Sequence, residues 1–412
     1  MMNTAEISVL KELARQYAAI AALPVHREKR DLWAHLNNLS MDRPMVLIDQ
    51  LPWHEMDVDG SLACRVSEPY WRGVETWLRR AIYQWKHFPV DRVWDPYLCL
   101  PRPISHSGWG LKTEQDLLAS DVKNDVVSHR YHNQIENEED LEKIHTPVYT
   151  LDEAVEQDIL QTAHELFDGI LPFRMTGVVL HCGIWDSITE WMGIENCYIE
   201  LMDRPEMLHA LMEKLTVGLL SMTDQLDRLG GFDVTSNLCH CSQTYLTDAS
   251  HAGDEPPAPL AKNAWTLGLA QLFTSVSPAV TDEFEVAYMQ RVFARFGAVY
   301  YGCCDRLDDR LDVIEKLPNV RKLSCSPWSD RERFAQNLDR SRYVMSNKPT
   351  PAYLAADVMD EKLVRDDLRR TLDAARRHDV CLEFILKDIS TVCGKPQHVW
   401  RWAEIAMEEV CR

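Results

Sequence analysis

No stretch of this chain approaches the roughly 18 consecutive apolar residues that a membrane-spanning helix requires. The apolar YAAIAALP stretch follows Lys11, Glu12 and Arg15 in a helix-like period, so it reads as part of an amphipathic helix rather than a leader. A cytoplasmic protein is expected. Glycine is scarce, 16 residues in 412, and no internal repeat or low-complexity tract occurs, which excludes fibrous and disordered classes. No G-x-G-x-x-G or G-x-x-x-x-G-K-[ST] loop is present, which counts against a nucleotide fold. Basic residues are also few: 44 against 64 acidic give a net charge of −20. Nucleic acid is therefore a poor partner, because its binding rests on phosphate neutralisation by Lys and Arg.

What is present is a 46% hydrophobic chain, enough for one large packed domain or two medium ones. The twelve cysteines, irregularly spaced in so long a chain, are not a small disulfide framework. In a reducing compartment clustered cysteines bind metal or react, while scattered ones fill the core as small hydrophobes.

The first 42 residues read as a helical extension, because ISVLKELARQYAAIAAL and RDLWAHLNNL place apolar side chains three and four apart. Eight short apolar runs follow, at Pro44–Ile48, Arg92–Pro96, Arg174–His181, Phe232–Leu238, Val299–Cys303, Lys322–Ser326, Tyr343–Ser346 and Cys381–Lys387. Helical segments separate most of them. In one, Ser277 is the cap, Pro278 the first helical residue, Phe284, Tyr288 and Val292 the inner face and Gly297 the stop. In another, Leu363, Leu368 and Leu372 face the core. Such alternation implies an α/β fold with a parallel sheet, and residues 43–412 suit a (β/α)8 TIM barrel with long insertions. The segments Cys99–Asp152 and Cys239–Ser277 are too long for ordinary connections and are expected to form lid and pocket wall, with Asp254–Trp265 as an ordered surface loop.

In a barrel the catalytic groups project from strand C-termini. Those ends carry His181-Cys182, Cys239-His240-Cys241, Cys303-Cys304-Asp305, Cys325-Ser326-Pro327-Trp328, Lys348, and Lys387-Asp388 followed by Cys393. Thiols, imidazoles and charges thus converge on one face, as in a metal site. Adjacent strand residues point opposite ways, so Cys304 is expected to pack behind the strand. Trp109, Tyr131, Trp265 and Trp328 could wall a flat pocket or simply pack.

The order YYGCCDRLDDRLDVIEKLPNVRKLSCSPW, RYVMSNKPTPAYL and FILKDISTVCGKPQHVWRWAEIAMEEV, with HCGIWDSITEWMGIENCYIELMDRPEMLHALMEKLT earlier, resembles the uroporphyrinogen decarboxylase superfamily over about residues 173–411. It is most similar to the branch of cobamide-dependent methyltransferases that includes the methylcobamide:coenzyme M enzymes. In that branch a His-x-Cys-Gly motif after strand five and a Cys-Gly after strand eight supply zinc ligands. The resemblance places Cys303 and Cys393 at the two cysteines, with Tyr301 where the histidine stands and Cys304 where the glycine stands. The third ligand is then expected from another strand end, with His240 the nearest imidazole. The arginine-rich motif of the true decarboxylases is replaced by LIDQLPWHEMDVDG.

The resemblance implies a zinc-dependent methyltransferase moving a methyl group between a small molecule, a methyl ether, amine or thiol, and a corrinoid. The corrinoid would ride on a separate partner protein, since no Asp-x-His-x-x-Gly module is present here. Asp305, Lys348 and Lys387 are the candidate catalytic groups, binding substrate or orienting ligands. A metal-free lyase of the decarboxylase type and a noncatalytic binding subunit are the competing readings. A homodimer is compatible with either. Metal content separates the first reading from the other two.

Overall fold

The computed structural model describes residues 2–118, 127–246 and 256–412. The first two residues of the expected Asp254–Trp265 surface loop fall outside them. Helix α1 (Thr4–Ala21) begins with a capping box in which the Asn3 side chain accepts from Glu6 N–H while Glu6 accepts from Asn3 N–H. Its stripe Leu10, Leu13, Ala14, Tyr17 packs on α3 (Pro69–His87) and α4 (Glu153–Phe167). Between α1 and α3 lie α2 (Val25–Asn37) and β1 (Met45–Ile48). Before α4 comes β2 (Leu98–Pro101), and after it β3 (Phe173–Thr176), α5 (Ile184–Met192), α6 (Ile194–Asp203) and α7 (Pro205–Leu229).

The second half alternates β4 (Trp265–Gly268), α8 (Ala287–Phe293), β5 (Ala298–Tyr301), β6 (Val320–Cys325), α9 (Arg331–Asn337), β7 (Val344–Asn347), α10 (Glu361–His378), β8 (Leu382–Leu386) and α11 (Gln397–Val410). Six strands form one parallel sheet in the order β1, β8, β7, β6, β5, β4. Strands β2 and β3 form a separate parallel pair. Single bridges at Val178 with Phe232 and His181 with Leu267 continue the chain after β3 toward β4. The fold is α/β, as the alternation implies.

Two expected strands are corrected. Arg92–Pro96 is irregular because its backbone is taken by side chains: Gln243 Oε1 accepts from Val93 N–H and His26 Nδ1 from Trp94 N–H. Phe232–Leu238 is broken by Asp233, whose Oδ1 accepts from the N–H groups of Thr235 and Ser236 and turns the chain. The strands overlooked are β2, at the start of the segment expected to be lid, and β4, inside the segment expected to be pocket wall. In α10 the buried apolar stripe is Val364, Leu368 and Leu372, while Leu363 is exposed. Ser277 does cap its helix, but Asp282–Val286 is a π turn and the helix ends at Phe293, ahead of Gly297.

The pleat divides each strand between two environments. Val46, Ile48, Leu323, Met345, Leu382, Phe384 and Leu386 meet the helices in the main core. The alternate residues Met45, Leu47, Val344 and Ile385 meet Trp33 and Leu36 of α2, so the extension packs against the sheet's other face. That face is also polar. Lys322 and Glu383, both fully buried, form an ion pair at 2.7 Å, and Lys322 Nζ donates to Ser242 Oγ and Gln243 O as well. Burial lowers the Lys322 pKa against the pull of Glu383.

Candidate metal and thiolate site

The site is built where β5 and β8 end. After Tyr301, Gly302 adopts φ 90°, a left-handed conformation that glycine enters without a Cβ penalty. A Cβ there would meet Leu307 Cδ1 at 2.8 Å. The turn ends the strand, so Cys303 and Cys304 no longer alternate, and their sulfurs lie 3.6 Å apart. Asp305, also buried, holds the turn by accepting from Cys303 N–H at 2.7 Å. Ser324 Oγ donates to Cys303 O from β6. From the end of β8, Lys387 Nζ reaches Cys303 Sγ at 3.1 Å, and Cys304 Sγ donates to Asp388 Oδ2 at 3.4 Å. Asp388 itself sits at φ 56°.

His240 arrives from the tip of a two-residue hairpin between Leu238–Cys239 and Ser242–Gln243. Both tip residues have positive φ, 43° at His240 and 66° at Cys241, as tight hairpin turns require. The His240 ring lies against Tyr300, centroids 5.0 Å apart, and its buried Nε2 has no hydrogen-bond partner among the described residues. Lys348 Nζ donates to Tyr300 OH and, at 2.9 Å, to Ser346 Oγ on the inner face.

The charges act on one another. Hydrogen bonding with Cys304, helped by the His240 ring and the Lys387 ammonium, holds Cys303 well below the usual thiol range against the effect of burial. Cys304 is pushed up in turn. Burial opposes the charge on Lys387, but the Cys303 sulfur and the Asp388 carboxylate outweigh it and raise its pKa. Burial lowers Lys348 to about 8 and raises Asp305 to about 6. Of the two sulfurs, Cys303 is thus the one whose charged form is favoured, beside the Lys387 ammonium.

Among the described residues, one trio of ligand atoms falls within 4.8 Å of one another: Cys303, Cys304 and Asp388. Of the three ligands expected from the sequence, Cys303 belongs to it. Cys393 is exposed, at φ 55° on a loop that Glu55 straps by accepting from Thr391 Oγ1, Val392 N–H and Gly394 N–H, and His240 also lies outside the trio. Lys387 touches the thiolate, Asp305 supports the turn and Lys348 lies beneath, hydrogen-bonded to Tyr300. Tyr301, at the resemblance's histidine position, faces the other way and donates to Glu285 Oε1. Tetrahedral zinc with bonds of about 2.3 Å to sulfur and about 2.0 Å to oxygen sets two sulfurs about 3.8 Å apart and sulfur and oxygen about 3.5 Å apart. The Cys303–Cys304 and Cys304–Asp388 separations, 3.6 and 3.4 Å, suit it, and the Cys303–Asp388 pair lies within 4.8 Å.

No family model matches the chain, and no curated protein matches it in sequence. Among solved structures it is similar to a methyltransferase from Methanosarcina mazei, at a TM-score of 0.53 and 10% identity over 92% of this chain and 98% of that one. That is a likeness of fold. No helix of the described residues is long and apolar enough to cross a membrane.

Strand periodicity sets Cys304 behind the strand, whereas its sulfur lies beside that of Cys303 and meets Asp388. The signal available was glycine at 302, since a residue with φ > 0 at a strand end is what lets neighbouring thiols share a side. Of the four aromatics singled out, Trp328 is 74% exposed, Trp109 packs over Gly218 of α7, and Trp265 faces Lys322. Tyr131 lines a cavity at the start of α5.

Proposed function

We propose that this chain is a methyltransferase that moves a methyl group between a small molecule and a corrinoid carried by a separate protein, on a (β/α)8 barrel formed by β1–β8. Zinc would be held by Cys303, Cys304 and Asp388. The observation that carries the reading is the cluster itself, two thiol sulfurs and a carboxylate at ligand spacing beside a buried ammonium. The fold likeness to a methyltransferase agrees with it. When bound, zinc supplies a Lewis acid that polarises a leaving heteroatom or stabilises an acceptor thiolate.

The chain's own residues do the rest. Three protein ligands leave a fourth position for substrate. Lys387 balances the thiolate charge, and its contact with Asp388 at 3.1 Å orients that carboxylate. The His240 ring helps keep Cys303 deprotonated.

The test is incubation of zinc-loaded protein with a reduced corrinoid protein and candidate methyl donors. Methylcobalt absorbance should appear with at least one donor and fall at least a hundredfold in rate in Cys303→Ser. No spectral change across methoxylated aromatics, methylamines and methyl thiols would remove the proposal.

A further inference from the structure

A cavity of about 380 Å³ lies at the start of α5, lined by Tyr131, Asp186, Glu190, Tyr198 and Gln271 among others, with no lysine, arginine or histidine among the described residues of its wall. Its position follows from the sheet. Cys182 N–H donates to Leu267 O and Gly302 N–H to Gly268 O, so the start of α5 and the Cys303 turn flank the end of β4 on either side. Two strand spacings of about 4.8 Å separate them, which brings Asp186, in the first turn of α5, near enough to the Cys303 turn for Cys303 and Asp305 to act on its charge. Glu190 follows one turn later on the same face.

The two aromatic walls are fixed. Tyr198 OH donates to Leu272 O at 2.6 Å, and the Tyr131 ring stacks on His129. Thr113 Oγ1 donates to Glu190 Oε2 at 2.9 Å and sets that carboxylate. Behind the cavity, Glu285 is wholly buried, and its Oε2 has no partner among the described residues. Arg310, the cation on that side, is engaged with Phe273 O, Thr281 Oγ1, Val276 O and Asp309. Burial, with Asp305 and Asp186 adding to it, raises Glu285 well above the usual carboxylate range, so the acidic groups left facing the cavity are Asp186 and Glu190. Burial, with Cys303, Asp305 and Glu190 adding to it, raises Asp186 to about 7.

We infer that this cavity is the substrate subsite and that it takes a small methylated ammonium, held by the carboxylates of Asp186 and Glu190 and by the ring faces of Tyr131 and Tyr198. Carboxylates and ring faces both attract a diffuse cation, and neither favours an anionic thiol or a neutral ether. The inference rests on the methyltransferase reading for its meaning, but the binding it asserts requires neither metal nor corrinoid.

The experiment is calorimetric titration at pH 8, in chelator and without corrinoid, with trimethylammonium chloride, tert-butanol as neutral isostere and sodium methanesulfonate as anion. Trimethylammonium should bind at least tenfold more tightly than either control, and Asp186→Asn and Glu190→Gln should each weaken it at least tenfold with thermal unfolding unchanged. Tyr131→Phe should bind as wild type and Tyr131→Ala more weakly, which keeps the test open if an acidic variant fails to fold. Equal binding of the neutral isostere, no binding of the cation, or variants that bind as wild type would overturn the subsite. Methyl transfer from other donors by a protein that ignores the cation would remove the subsite and leave the transferase reading; cation binding with no transfer from any donor would do the reverse.

Discussion

Lys322 shows how a single residue sets the inner face of the sheet. Its ammonium is wholly buried and satisfied by Glu383, Ser242 and Gln243, with the Trp33 ring 5.0 Å away. Removing one member of a buried pair strands the other, at about 3–5 kcal/mol, whereas replacing both with apolar groups is often neutral. Lys322→Ala should therefore destabilise by about 3–5 kcal/mol in urea unfolding, and Lys322→Met with Glu383→Leu should recover most of it. A single variant within 1 kcal/mol of wild type, on the ~1 kcal/mol scale of ordinary substitutions, would show that the pair is not desolvated. This network was not legible in the sequence. A lysine within an apolar run reads as a strand residue facing solvent, and only the distant Ser242 and Glu383 reveal that it faces inward.

At the scale of elements, the turn after β5 decides the site. Strand periodicity alone predicts that Cys303 and Cys304 diverge; the left-handed glycine before them cancels it. Gly302→Ala places a Cβ against Leu307 and forces strain of about 1–3 kcal/mol, so the variant should lose stability by that amount and bind metal at least tenfold more weakly. Unfolding by denaturant and a competitive zinc titration measure the two effects; unchanged metal affinity would mean the turn does not place the sulfurs. Six of the eight strands were legible because each is a short apolar run bounded by helical signals. Arg92–Pro96 and Phe232–Leu238 misled because side-chain hydrogen bonds from Gln243, His26 and Asp233 took their backbone groups. The β4 strand, WTLG, is too short for its pattern to speak and is recognised only by its pairing with β5.

Across the whole molecule, residues far apart in sequence meet because parallel strands deliver their C-terminal ends to one side: Cys303 and Lys387 are in contact 84 positions apart. The sequence indicated that face and, as an expected ligand, Cys303 of the clustered trio. It named Asp388 only among the charged strand ends; in the structure Glu55 straps the Cys393 loop while Asp388, itself exposed, meets Cys304. The central claim is that Cys303, Cys304 and Asp388 together bind zinc. The most direct measurement is zinc content by mass spectrometry, with zinc-edge X-ray absorption, on protein purified without chelator. The account predicts about one zinc per chain with two sulfur neighbours at about 2.3 Å, lost in Cys303→Ala and Asp388→Ala while the fold is kept. Zinc-free wild-type protein, or full zinc retained in both variants, would contradict it.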